Sequence, residues 1–266
     1  MRRFALLALL SCTACLDNTP PETAPDKVDA NVQWFWVHGD SADDATLADG
    51  VAKLGVAGKA DTRTEPFKGQ MRSRLTSEEL AGVGLSANDP STARGALLVN
   101  LFDCTLDKLE VILSAQDQKS QYEGVYERYD RTFTTSDPAA FNDGASDVIT
   151  WDVSSRVALP LSDIYESSLK GGLRRVKGTT HGDVLIARTY LTAPATFENP
   201  NSTGYFRQDY QMEIFWEQSP GRIFHAYGMW RDIRTYELTM EDNGFFSIVL
   251  DNMKKWDDNT QTLCAK

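Results

Sequence analysis

The chain has 266 residues, with 27 Lys and Arg against 38 Asp and Glu, and a formal net charge of −11 at pH 7. An acidic chain with no basic patch interleaved with aromatics excludes a nucleic-acid partner. The acidity reads as solubility and argues against direct docking on anionic lipid. The apolar and charged fractions, 41% and 24%, are ordinary for a globular protein, and the length fits one large domain or two small ones.

Arg2 and Arg3 precede a short apolar run, Phe4 to Leu10, followed by Ser11, Cys12, Thr13, Ala14 and Cys15. A basic start, an apolar stretch and small residues before a cysteine are the parts of a secretory signal. The run is too short for a membrane-spanning helix, which needs about 20 apolar residues. It resembles the lipobox of bacterial lipoproteins, which implies cleavage before a cysteine that carries lipid. Leu9-Leu10-Ser11-Cys12 matches that pattern, with Leu three before the cysteine. Cleavage before Cys15 instead gives a longer apolar region and leaves an even pair of cysteines. Cys12 and Cys15 are therefore both lipidation candidates, and a plain secretory signal is the remaining reading. Residues 1–14 are expected to be the signal. Residues 15–30, with Pro20, Pro21 and Pro25 among acids and threonines, are expected to form a disordered tether. The resemblance implies a lipid anchor in a bacterial cell envelope, at the outer membrane or the periplasmic face, held by buried acyl chains. An exported compartment permits disulfides. Cys104 and Cys264 are the candidate pair, with two buried free thiols as the other reading.

Along the chain, Asn31 to His38 is aromatic and β-prone and is expected to be a buried strand. Gly39-Asp40-Ser41 opens a helix with Leu47, Ala48, Val51 and Leu54 at helical spacing, closed by Gly55. Thr76-Ser77-Glu78-Glu79 is a capping box flanked by Leu75 and Leu80. Ala96 to Phe102 has the length of a strand, and Thr105 caps a helix with Leu106, Leu109, Ile112 and Leu113 on one face. From about Tyr122 the period changes to two, clearest where Ile149, Trp151, Val153 and Val157 alternate with Thr150, Asp152, Ser154 and Arg156. Ser162 to Leu169 is expected to be a short helix stopped by Gly171-Gly172, and Val184 to Thr192 a strand. A long hairpin follows. Phe206, Tyr210, Met212, Ile214 and Trp216 share one face, Arg207, Asp209, Gln211 and Glu213 the other, and Ser219-Pro220-Gly221-Arg222 is the turn. The chain closes on an amphipathic helix with Phe245, Val249, Met253 and Trp256 along one side.

The expected class is α+β: a curved antiparallel sheet packed on a long C-terminal helix, with an N-terminal strand and helix extension. Residues 31–266 form a single domain, with 31–93 as the extension. The element order over residues 94–266 resembles the helix-grip architecture of START-like and polyketide-cyclase-like domains. That resemblance implies a gap between sheet and helix that holds an apolar ligand. A plain α+β domain with a filled core accounts for the same order.

Signatures of chemistry are missing: no nucleophile elbow, no zinc-protease helix, no phosphate loop and no dinucleotide glycine pattern. No cofactor, metal site or catalytic residue is assigned. His38-Gly39-Asp40 and His181-Gly182-Asp183 read as turns, with an oriented base or metal ligands as the sharper reading. His225 falls within the hairpin. A two-residue loop at Pro220-Gly221 opposes Trp216 to His225, Ile214 to Tyr227, Met212 to Met229 and Tyr210 to Arg231. His225, Tyr227 and Arg231 then stand among aromatics, as polar groups do in a small-molecule pocket, facing Val249 and Met253 of the last helix. A one-residue slip turns Trp230 inward instead. The functional expectation is a membrane-tethered, non-enzymatic envelope lipoprotein that binds a small apolar or aromatic ligand. The alternatives are a structural or interaction module of the envelope with a filled core, and an envelope hydrolase. The sequence names no protein partner.

Overall fold

A computed structural model of the chain describes residues 23–58, 66–71, 74–85, 87–158, 164–234 and 242–266. The signal, Cys12 and Cys15 lie outside the described residues. The expected tether overlaps them at its end, and there it is packed against the domain. Ala24 is buried, its carbonyl accepts from Lys53 Nζ at 3.0 Å, and the Pro25 carbonyl accepts from Asn31 Nδ2 at 2.9 Å.

The first element is a helix, α1 (Val28–His38), where a strand was expected. Its Val32, Phe35 and Trp36 are fully buried and Trp34 nearly so. An apolar run this short is ambiguous between helix and strand, and burial on more than one side removes the periodicity that separates them. Helix α2 (Asp44–Gly58) carries Leu47, Val51 and Leu54 into the same core and continues through Gly55. After strand β1 (Phe67–Gln70) comes α3 (Ser77–Ala81) with both arms of the capping box in place. Thr76 Oγ1 accepts from Glu79 N at 3.2 Å, and Thr76 N donates to Glu79 Oε2 at 2.6 Å. Gln33 Nε2 donates to Glu79 at 2.8 Å, which ties α1 to this cap.

Strand β2 (Arg94–Asp103) leads to α4 (Leu106–Ser114), capped by Thr105, and to the single turn α5 (Gln118–Gln121). Then come β3 (Arg128–Phe133), α6 (Pro138–Asn142) and β4 (Val148–Ala158). Strand β5 (Ile164–Thr179) replaces the short helix expected from Ser162. Gly171-Gly172 does not stop a helix. A Cβ on Gly171 would lie 2.5 Å from Trp151 Nε1 on β4, so the glycine marks a close approach inside a strand. Strands β6 (Gly182–Leu191), β7 (Thr196–Phe197), β8 (Tyr205–Ser219) and β9 (Arg222–Arg234) precede the long helix α7 (Asp242–Cys264).

Among the described residues nine strands form one curved antiparallel sheet, ordered β1-β2-β9-β8-β6-β5-β4-β3, with β7 paired to β5. The class is α+β, as expected. The outer face of the sheet packs on α1 and α2, and its core includes Trp36, Leu54, Ile186, Met212, Ile214, Trp216 and Trp230. The inner face packs on α4, α6 and α7 through Phe102, Leu109, Phe141, Trp151, Phe215 and Ile223, and through Ala96, Leu98, Tyr227, Met229 and Met253. Cys104 and Cys264 form a disulfide with their Cα atoms 5.3 Å apart, joining the end of β2 to the end of α7.

Candidate functional site

The hairpin register sets which side chains meet. Ser219 pairs with Arg222 as expected, but a bulge lies between Glu217 and Ser219. Trp216 therefore opposes Phe224, Phe215 opposes His225, and Glu213 opposes Tyr227. The extra residue, Gln218, accepts from Trp216 Nε1 at 2.9 Å, while Glu217 accepts from the Gly221 amide inside the turn. One added residue sends every following side chain to the opposite face. The ligand-pocket candidates are accordingly divided. Tyr210, Met212, Ile214 and Trp216 lie in the outer core with Trp230, against α1 and α2. His225, Tyr227, Met229 and Arg231 alternate along β9 with that outer set and face inward, where Tyr227 and Met229 pack against Val249 and Met253 of α7. A second bulge at Arg207 turns Phe206 inward, beneath the Arg231 guanidinium at 5.1 Å.

The inward face of β8 is the polar one of the sequence pattern, with Asp209, Gln211 and Glu213. These residues are the partners of the β9 set. Arg231 donates through Nε and Nη2 to the two oxygens of Asp209, at 3.0 and 2.8 Å. Gln211 Nε2 donates to Asp209 Oδ2 at 2.7 Å, and the Tyr227 hydroxyl donates to Gln211 Oε1 at 2.5 Å. Asp209 is buried and Arg231 keeps a fifth of its side chain exposed. Arg231 Nη1 has no hydrogen-bond partner among the described residues. Two further phenols converge on this chain. Burial raises Tyr165 to about 12, against the pull of the nearby Arg231. Burial also raises Tyr227, with Glu213 adding to the effect and Arg231 opposing it, and it raises Tyr126. Tyr126 and Tyr165 are half-buried, and neither hydroxyl has a hydrogen-bond partner among the described residues. None of these groups is a buried atom left without a partner; two half-buried phenols and a partly exposed guanidinium edge are the kind of groups that orient a polar ligand atom.

Deeper along β9, His225 is fully buried between two carboxylates. Its Nδ1 lies 2.8 Å from Asp257 Oδ1 of α7, and its Nε2 lies 3.2 Å from Glu213 Oε2. Asn100 Nδ2 donates to the other Asp257 oxygen at 2.6 Å. Burial works against the charge on His225, but Asp257 and then Glu213 outweigh it and lift the imidazole to about 9. Burial raises Glu213 above its ordinary carboxyl value, with His225 opposing it. Phe215 stacks on the imidazole at 4.1 Å, and Trp256 covers it at 5.7 Å. Nδ1 is hydrogen-bonded to Asp257, whereas Nε2 and Glu213 Oε2 face each other without a hydrogen-bond partner among the described residues, fully buried beneath Phe215 and Trp256.

The two His-Gly-Asp triplets do not meet at a site. His181 stacks on Trp216 at 4.7 Å beside the β5–β6 turn, where Gly182 takes φ 82°, and burial lowers its pKa. His38 ends α1 on Trp34, and Asp40 pairs with Arg188. Among the described residues no group of three or more His, Cys, Asp and Glu is arranged to hold a metal.

No protein-family model and no curated protein matches the chain. Among solved structures, dicamba monooxygenase bound to 3,6-dichlorosalicylic acid matches with TM-score 0.44 and 8% identity, over 66% of this chain and 49% of the other. Human STARD10 matches with TM-score 0.44 and 9% identity, over 77% and 71% of the two chains. Human StAR-related lipid transfer protein 5 gives 0.41 and 10%, over 84% and 96%. The neighbours thus include START-like folds. At these identities and scores the likeness is one of outline.

Proposed function

We propose that the inner face of this sheet binds a small amphipathic molecule, its apolar body beside the half-buried rings of Tyr126 and Tyr165 and its polar end at Arg231. The observation that carries this reading is the chain Tyr227–Gln211–Asp209–Arg231, which ends on a guanidinium that is a fifth exposed. A bidentate Arg–carboxylate pair is held in one geometry, so its unused Nη1 edge is preorganised for a ligand oxygen. Ligand sites are mostly apolar with a few such groups for orientation. Tyr126 and Tyr165 supply further donors. The reading uses no reaction step: His225 nearby is fully buried and its Nδ1 is paired with Asp257.

Its test is extraction of the purified protein with organic solvent and mass spectrometry, together with titration by the dye 1-anilinonaphthalene-8-sulfonate. A co-purifying amphipath and saturable dye binding are expected. Arg231→Gln combined with Asp209→Asn removes both charges and leaves neither unpaired, so the fold is retained. It weakens dye binding about tenfold, the scale of a lost charged hydrogen bond. An empty extract together with non-saturable dye binding sinks the reading.

The proposed setting is a bacterial cell envelope, with the domain held by lipid on Cys12 or Cys15. The support is the basic and apolar run with its small residues before each cysteine. Radiolabelled palmitate is expected to enter the wild-type protein and to be lost in either Cys12→Ala or Cys15→Ala. Label retained in both single variants leaves neither cysteine as the anchor.

A further inference from the structure

A recess lies on the opposite side of the sheet, on the part of the outer face over β4, β5 and β6. It has a volume of about 390 Å³. Its floor follows from register. On β5, Lys170, Gly172 and Arg174 point outward in succession. Gly172 pairs with Thr150 on β4 and with Arg188 on β6, while Lys170 pairs with Asp152 and Tyr190. A side chain is therefore missing at the centre of a grid whose surrounding positions hold three cations. A Cβ at Gly172 would lie 2.9 Å from Thr150 Cγ2, so the floor is closed on the β4 side and open above.

The two arginines are fixed by α1 and the turn after it. Arg174 Nη1 donates to the Gly39 carbonyl at 3.0 Å, and its Nη2 pairs with Asp44 at 2.7 Å. Arg188 Nη1 donates to the Trp36 carbonyl at 3.1 Å, and its Nη2 pairs with Asp40. Each guanidinium has five N–H groups, and neither Nε has a partner among the described residues. Lys170 is exposed and has no ion-pair partner among the described residues either. The charged lining is Lys170, Arg174 and Arg188 against Asp40 and Asp152, with Asp44 behind Arg174, so the cations are balanced by carboxylates and what the recess offers an anion is its unpartnered donors. Asp40 pairs with Arg188, and Asp152 stands directly across from Lys170 on β4 without forming an ion pair with it.

We infer that this glycine-floored recess binds an oxyanion, phosphate or carboxylate, carried by a small molecule, with Lys170 as the free cation and Arg174 and Arg188 as fixed donors. Tyr190, half-buried at the rim, offers a ring face to the body of that molecule. The site is on the opposite face from the amphipath site and does not depend on it.

The ¹⁵N-labelled protein is titrated with sodium phosphate and, separately, sodium acetate at constant ionic strength, with chloride as the control salt. Saturable amide shifts are expected at Thr150, Gly171 and Gly172 with phosphate or acetate, and the anion that saturates names the group. Lys170→Gln weakens binding about tenfold, and Lys170→Arg retains it. Lys170 is exposed, so both variants are expected to fold. Shifts that fail to saturate with either anion, that chloride reproduces, or that Lys170→Gln leaves unchanged overturn the inference.

Discussion

Arg175→Ala is expected to destabilise the protein by about 3–5 kcal/mol, read as a fall in the urea-unfolding free energy. Arg175 projects inward from β5, and its side chain is 6% exposed. It donates through Nε and Nη2 to both oxygens of Glu110 on α4, at 2.8 and 2.7 Å, and through Nη2 to the Phe141 carbonyl of α6 at 2.8 Å. Glu110 is itself 8% exposed. Removing the arginine leaves its carboxylate buried without a counter-charge, and that uncompensated charge sets the magnitude. The second arm, Arg175 Nη1 to Asp147 at 3.2 Å, reaches a half-exposed carboxylate that water can resolvate. The double variant Arg175→Met with Glu110→Met is therefore expected to recover most of the loss, because it removes both charges together. A single variant within 1 kcal/mol of wild type contradicts this account, and so does a double variant no better than the single.

Glu110 and Arg175 also show where sequence reading stops. Glu110 falls in a helix whose apolar spacing and Thr105 cap were legible, and Arg175 in a stretch that was not read as strand. Their meeting depends on β5 running unbroken past Gly171-Gly172, which local propensity argues against. Elements whose own periodicity matches their burial were legible. In β4, Ile149, Trp151 and Val153 alternate inward, and the capping box of α3 needs only residues within one turn of each other. Helix α1 was not legible as a helix, because Trp34, Phe35 and Trp36 are all buried and adjacent, which no single-faced period describes. The candidate site was half legible. His225, Tyr227, Met229 and Arg231 do share a face with Val249 and Met253. The face across the hairpin was inverted, because Gln218 adds one residue and no turn signal marks it. The inversion hid Asp209, Gln211 and Glu213, which look like a solvent face until the strand is placed in mid-sheet with helices on both sides. The spacing of Met253, Asp257, Thr260 and Cys264 on one side of α7 was a usable signal for Asp257.

Raising the pH from 6.5 to 9 is expected to lower the unfolding free energy through His225, by an amount on the order of 3 kcal/mol. The unfolded chain holds this imidazole near its ordinary value of 6.5, whereas the folded protein lifts it to about 9. A group with a raised folded-state value stabilises fully below the unfolded value, and that stabilisation is lost as pH rises through the folded one. Glu213 has the same sign. Burial raises it above 4.5, so its contribution also falls as pH rises, beginning in the acid range. The two therefore add and do not cancel. The imidazole's part of the dependence is expected to be lost in His225→Gln, which leaves only the Glu213 part, and direct titration of the imidazole by NMR is expected to find it protonated at pH 8. Asp257→Asn removes the stronger of the two supporting carboxylates while leaving the side-chain shape. The imidazole should then titrate at a lower pH, because burial, the opposing effect, is unchanged. A wild-type imidazole that titrates near 6.5, or a pH dependence between 6.5 and 9 that is undiminished in His225→Gln, is incompatible with a histidinium paired with Asp257 and facing Glu213. Since Glu213 opposes Tyr227 across the hairpin, the same titration reports the charge at the base of the polar chain that ends on Arg231. Ligand affinity there is expected to follow the protonation of the His225 cluster, because Glu213 acts on the Tyr227 hydroxyl that begins the chain.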